Sequence, residues 1–347
     1  MQPKDFNTLF SALSNPRVNA YKYYFGQNLS DDQVFGCYQW NESVSHSFFK
    51  LITLIEIVMR NRMHSALSQH YFSHNKEIIA NCNLPPWQWQ TSNYSTIGNQ
   101  SSCNWYNSTN NGNRILNNKS LGNIHSITHN RRSGAPWGNA RLPSADDVVS
   151  SLTFGFWSSL VDKCPNVAWS SILSDIYPKH RTSNSNQWNS DIEQKKLSYR
   201  LELVRDFRNR IAHHEPIWKF GDYLSEQPPV TNGQLDLAQP RAILDSGTTT
   251  PQQSIRRLRS IYSKHTQLLR WMSKEIHDDF VQSTLHKQIL WLCSEDGLNA
   301  HVNREGHTSM SMKPCRFKRE LSSILRSKKP TYLHKKGRNL VAIQHIS

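Results

Sequence analysis

Between residues 45 and 70, Phe48, Leu51, Ile52, Ile55, Val58, Met59 and Met63 recur at spacings of three and four. Side chains at that period return to one side of an α-helix, so this stretch has to bury a face against other elements. Lys50 and Glu56 interrupt it, and nowhere does the chain reach the roughly 20 apolar residues that a membrane-spanning helix needs. The expectation is a core helix of a soluble protein. Glu56, Arg60 and His64 follow at i, i+4 and i+8, forming a polar ridge beside the apolar stripe.

Two more segments read the same way. Ser144 with Asp146 and Asp147 supplies an N-cap and an acidic first turn, after which Val149, Leu152, Phe156 and Leu160 continue a helical stripe. Asp191 opens a long helix carrying Leu197, Leu201, Val204, Phe207 and Ile211, and Pro216 stops it beyond Glu215. No strand pattern long enough to make a sheet stands out. The fold class expected is all-α.

The division expected is a helical domain over residues 1–220, interrupted at 91–139 by a flexible Asn/Ser-rich insertion. A Pro-containing linker at 221–254, a helical segment at 255–298 and a basic tail at 299–347 complete it. From Lys313 to Arg338 in the tail, Lys313, Arg316, Lys318, Arg319, Arg326, Lys328, Lys329, Lys335, Lys336 and Arg338 face only Glu320. The whole chain has 41 Lys and Arg against 26 Asp and Glu, a formal charge of +15. That imbalance favours a polyanion, first of all RNA, through phosphate neutralisation and counterion release. No secretory pattern follows Met1, which sets a cytoplasmic expectation. The six cysteines contain no C-x-x-C pair, so neither a zinc ribbon nor a disulfide framework is expected, and no metal or cofactor.

Chemistry concentrates at the end of the third helix, in Asp206-Phe207-Arg208-Asn209-Arg210-Ile211-Ala212-His213-His214-Glu215-Pro216. An imidazole can take the proton of a ribose 2′-hydroxyl, and a guanidinium can stabilise charge on the phosphorane that forms. Spacing alone does not select this pair, because Arg259 to His265, Arg270 to His277 and Arg338 to His345 are similarly separated. A basic helix end meeting the carboxyl-terminal dipole would account for the same residues. His214 also lies within the spacing. Asn209, four residues before His213, can share its face, whereas Arg208 falls about 140° away on an ideal helix. Either the helix loosens before Pro216, or Arg208 serves another half of the site. Glu56 and Arg60 read either as an ordinary i, i+4 ion pair or as support for the cleft.

Arg208-Asn209-x-x-x-His213, followed by Pro216-Ile217, resembles the Arg-x4-6-His ribonuclease signature of the HEPN superfamily. Tyr38-Gln39-Trp40-Asn41 leading into Leu54-Ile55-Glu56-Ile57-Val58-Met59-Arg60-Asn61 resembles the amino-terminal signature of its Abi-like, abortive-infection branch. Leu152-Thr153-Phe154-Gly155-Phe156-Trp157 resembles the central one. The likeness covers roughly residues 15 to 220. It implies a HEPN-type helical bundle that dimerises, with two Arg-His motifs facing one cleft, and a metal-independent endoribonuclease of phage-defence or toxin type. His213 would be the base and Arg208 the charge stabiliser, with Asn209, His214, Glu56 and Arg60 in support or reserve. RNA is the implied partner, and an antitoxin protein or regulatory noncoding RNA a further one. The alternative is a noncatalytic RNA-binding HEPN protein that holds RNA in the same cleft.

Overall fold

The computed structural model describes residues 5–80, 99–130, 132–133, 143–184, 187–302, 310–327, 331–335 and 338–343. Helices dominate. Ahead of the central helix come α1 (Phe6–Leu13) and α2 (Asn15–Phe25), and the central helix itself is α3 (Asp31–Ala80). Its start is written locally: Gln33 N–H donates to Ser30 Oγ, Ser30 N–H donates to Gln33 Oε1, and Asp31 and Asp32 meet the positive end of the dipole. At 50 residues α3 is far longer than the periodic stretch at 45–70, because neighbours contributed by the rest of the chain bury Val34, Phe35, Trp40 and Val44 as well.

Next come α4 (Asn118–Thr128), α5 (Ala145–Ser151), α6 (Phe154–Lys163), α7 (Trp169–Ile176), α8 (Arg181–Asn184) and α9 (Asp191–Ala212). The stripe from Val149 to Leu160 is two helices rather than one. Ser144 and Asp147 form the expected capping box, but Leu152 turns extended at ψ 139° and Thr153 caps a new helix. All five of the stripe residues expected on α9 are buried. Then follow α10 (Pro251–Met272), α11 (Lys274–Gln282), α12 (Thr284–Leu292), α13 (Glu295–Val302) and α14 (Pro314–Ser327).

Strands occur only in small sheets. Thr109–Asn110 (β1) pairs with Asn113–Arg114 (β2), and Tyr223–Leu224 (β3) with Ile243–Asp245 (β6). Val230–Thr231 (β4) pairs with Gln234–Leu235 (β5), while Met310–Met312 (β7), Thr331–Lys335 (β8) and Arg338–Ile343 (β9) make a three-stranded sheet. The β1–β2 and β4–β5 turns carry Asn111-Gly112 and Asn232-Gly233 with all four residues at positive φ, the requirement of a type I′ hairpin. The segment 221–254 is therefore ribboned, and the basic stretch past residue 302 carries a helix and three strands.

One contiguous apolar core runs from Phe10 to Leu298. The helices after residue 250 share it: Trp40 Nε1 donates to Leu292 O at 2.8 Å, and a Cβ on Gly36 would stand 2.0 Å from His301 O. Only glycine lets α3 and α13 approach so closely. Within the Asn/Ser-rich segment, residues 99–130 bury Cys103, Trp105, Tyr106, Ile115, Leu116 and Ile124. His64 pins them. Its Nδ1 accepts from Trp105 Nε1 at 3.0 Å and its Nε2 stands 2.9 Å from Ser102 Oγ, so the third member of the polar ridge faces inward. Residues 91–98, 131 and 134–139 of that segment lie outside the described residues.

Candidate active site

Helix α9 ends in a Schellman motif. His214 N–H donates to Ile211 O at 3.0 Å and Glu215 N–H to Arg210 O at 2.9 Å, with His214 in the left-handed region at φ 54° where glycine is the usual occupant. His213 is the capping residue, at φ −90° and ψ 8°. The helix thus closes at Ala212, but His213 N–H still donates to Asn209 O at 2.9 Å, so His213 keeps its place on the wheel, about 140° from Arg208. Pro216 follows where the chain has already turned away.

Two contacts hold that turn. Arg210 Nη2 donates to Pro216 O at 2.5 Å and to Lys219 O at 2.7 Å, its Nε reaches Glu215 at 3.4 Å, and its guanidinium lies 5.0 Å from the Phe220 ring. Buried Asn41, from α3, accepts from Ile217 N–H at 2.9 Å through Oδ1. The amino-terminal segment Tyr38-Gln39-Trp40-Asn41 is thereby fastened to the chain just past the motif. Neither role had been assigned from the sequence. The i, i+5 spacing of Arg210 and Glu215 was the available signal for the first, and nothing local signals the second.

Of the three arginines near the motif, two are satisfied. Arg205 pairs with Glu202 and Asp206, and Arg210 with Glu215 and two carbonyls. Arg208 is different. It continues the buried line Leu197, Leu201, Val204 and is half-buried, and its Nε is shielded from solvent with no hydrogen-bond partner. Among the described residues no carboxylate pairs with it. Asn209, His213 and His214 are exposed. No hydrogen bond links the side chains of Arg208, Asn209 and His213 to one another.

Glu56 and Arg60 are half-buried on α3 and form neither an ion pair with each other nor a contact with the motif; Arg60 Nε reaches only Asn61 Oδ1, at 3.4 Å. The cause is register. Phe48 meets Phe207 with ring centroids 5.0 Å apart while Asn41 meets Ile217, so α3 and α9 run antiparallel. Glu56 and Arg60 then stand about 12 and 18 Å beyond Phe48 along α3, away from the end of α9.

The competing pairs differ in kind. His265 is fully buried between Phe48 and Phe207, its Nδ1 on Ile261 O at 2.7 Å, and Arg259 Nε donates to Cys293 O at 2.6 Å. Burial holds His265 neutral, its pKa pushed down to about 4. His277 stands 2.9 Å from Asp278 on α11, and His345 lies outside the described residues. Among the described pairs, only Arg208 and His213 combine an unpaired guanidinium with an exposed imidazole.

The family model of Abi-like proteins matches residues 9–219, well over half of the chain. The chain belongs to the Abi-like family. Comparisons with curated proteins and with solved structures found no match. The Abi-like match stops two residues after Ile217, so the fastening of Asn41 to Ile217 lies wholly within it. The helices α10 to α13, which fill the same core, lie beyond it. No described helix of this Abi-like protein is long and apolar enough to cross a membrane.

Proposed function

We propose that this Abi-like protein is an endoribonuclease of the HEPN Arg-His type, acting in the cytoplasm in abortive infection or as a toxin. The observation that carries this reading is the unpaired, half-buried Arg208 five residues before the exposed His213. A cation left without a carboxylate in a chain that pairs its neighbours is placed to receive an anion from outside. In the reaction, His213 takes the proton of the ribose 2′-hydroxyl as that oxygen bonds to phosphorus. The bond to the 5′-oxygen breaks, the leaving oxygen takes up a proton, and a 2′,3′-cyclic phosphate remains. Arg208 stabilises the charge of the phosphorane. No metal enters this scheme.

A second copy of the chain supplies the leaving group's proton in this reading, with the exposed neighbour His214 the reserve donor within the same chain. Phe49 is exposed next to Phe48, the residue that meets Phe207, and offers an apolar contact for self-association. The net charge of +15 would draw RNA to the cleft.

The test incubates wild type, Arg208→Ala and His213→Ala with total RNA in excess chelator and maps fragment ends. Cleavage by the wild type with cyclic-phosphate ends, reduced at least 100-fold in both variants, is expected. Activity that needs added magnesium and survives both substitutions would overturn the mechanism.

A further inference from the structure

At the opposite end of α9 from the motif lies a cavity of about 750 Å³. Its walls come from the segment before α8, the first three turns of α9, the chain between β3 and β6, and the junction of α10 with α11. Seven lysine and arginine side chains line it against two glutamates, Glu193 and Glu226. Arg200, at its wall, is some 20 Å along the helix from His213, so this is a separate place.

The two glutamates leave most of that charge unanswered. Glu226 receives Arg200 at 2.6 and 2.8 Å and also Lys264 at 3.2 Å, while Glu193 receives Lys196 at 2.6 Å with Arg181 at 3.7 Å. Each carboxylate thus serves two cations, and Lys274 turns to Asp278 outside the cavity. Among the described residues no carboxylate is within ion-pair distance of Lys179 or Arg270, Glu275 acting on Lys179 only at longer range. Arg200 is itself buried and clamped, on Glu226, on Lys264 O at 3.1 Å and against the Trp271 ring at 4.5 Å, so the floor is rigid. Surplus charge above a rigid floor in a concave site concentrates field and favours a compact, multiply charged anion. The remaining lining offers neutral hydrogen-bonding groups, Ser225, Gln227 and Gln267, together with Trp271. Those suit a ribose and base more than bare phosphate.

We propose that this cavity is a receptor for a small polyphosphorylated ligand of the nucleoside triphosphate class. Its volume lies in the range of roughly 300 to 1,000 Å³ typical of small-molecule sites, which favours such a ligand over a strand of nucleic acid.

Calorimetric titration of the full wild-type chain tests this, with ATP, GTP, inorganic triphosphate, adenosine and a 2′-O-methylated oligonucleotide bearing a 5′-hydroxyl as probes. One nucleoside triphosphate per chain should bind, more weakly as salt is raised, and adenosine should not. Lys179→Ala combined with Arg270→Ala, both on exposed side chains, should weaken nucleotide binding at least tenfold with an unchanged Tm. Absence of nucleotide binding, or binding indifferent to the double variant, would overturn the proposal. Equal affinity for inorganic triphosphate would overturn the nucleoside assignment. If the double variant weakens the oligonucleotide more than the nucleotide, the cavity is a strand-docking surface instead. The readout involves no cleavage, so it stands or falls separately from the ribonuclease reading.

Discussion

His213 and His214 are adjacent and equally exposed, yet the backbone gives them different work. His214 occupies the left-handed position of the Schellman motif, where a side chain costs about 1 kcal/mol relative to glycine. His214→Gly should therefore raise Tm by a degree or more while retaining cleavage that His213→Ala has lost. Thermal melts and an RNA assay on the two variants check this; loss of activity in His214→Gly equal to that in His213→Ala would reverse the assignment. Two other histidines are held neutral by burial, His180 and His265, each with its pKa lowered to about 4. An unfolded chain takes up protons at these rings near pH 6.5, so the stability they contribute is complete above that pH and is lost as pH falls toward 4. Glu226 acts later. Burial would raise its pKa, but Arg200 and Lys264 outweigh that and hold it below 4.5, so its contribution is lost only under more acid conditions. Tm should accordingly fall by a few degrees between pH 7 and about 5.5, and His265→Leu should flatten that slope. A slope unchanged in the variant would show that His265 is not among its causes.

At the level of elements, the helices identified from periodicity are present, and their limits were set by different means. Where a cap is local the boundary was legible: Ser144 with Asp147, and Pro216 after α9. Where a boundary depends on neighbours it was not. Leu152 ends a stripe that looked continuous, and α3 reaches back to Asp31 because the C-terminal helices cover its first turns. The hairpins at Asn111-Gly112 and Asn232-Gly233 were not expected, since 91–139 reads as an insertion and 221–254 as a linker; their strands are two residues long, too short for alternation to register. The tightest junction is that of α3 with α13. Gly36→Ala would drive a methyl group into His301 O, and helical backbone cannot yield as a flexible side chain can. The variant should lose about 1–3 kcal/mol in urea denaturation. A cost below 0.5 kcal/mol would mean that α13 is not seated there.

For the whole molecule, the open matter is how one Arg208 and one His213 surround a scissile phosphate. Glu56 and Arg60 are carried away by the antiparallel register of α3 and α9, and in the function proposed above a second copy of the chain completes the site. Light scattering should find dimers at assay concentration. Mixing Arg208→Ala with His213→Ala chains should restore part of the activity that each lacks alone, provided that one intact arginine and one intact histidine from different chains suffice. Full activity in a strict monomer would rule out the shared site.

By itself the sequence determined the helical class, the faces of its main helices and the surplus of positive charge. Each of these follows from spacing or composition within one segment, and the i, i+3, i+4 repeat and the capping residues act locally. Tertiary structure alone decided which of the similarly spaced Arg-His pairs among the described residues is unpaired and open. It buried His265 against Phe48 and Phe207, tied Arg259 to Cys293 O and left Arg208 without a partner. It also fastened Asn41 to Ile217 across 176 residues, and gathered cations from residue 179 to residue 274 around one cavity. The physical reason is common to all three. A side chain's charge and hydrogen-bonding capacity are written at its own position, whereas whether they are satisfied depends on groups that only folding brings within reach.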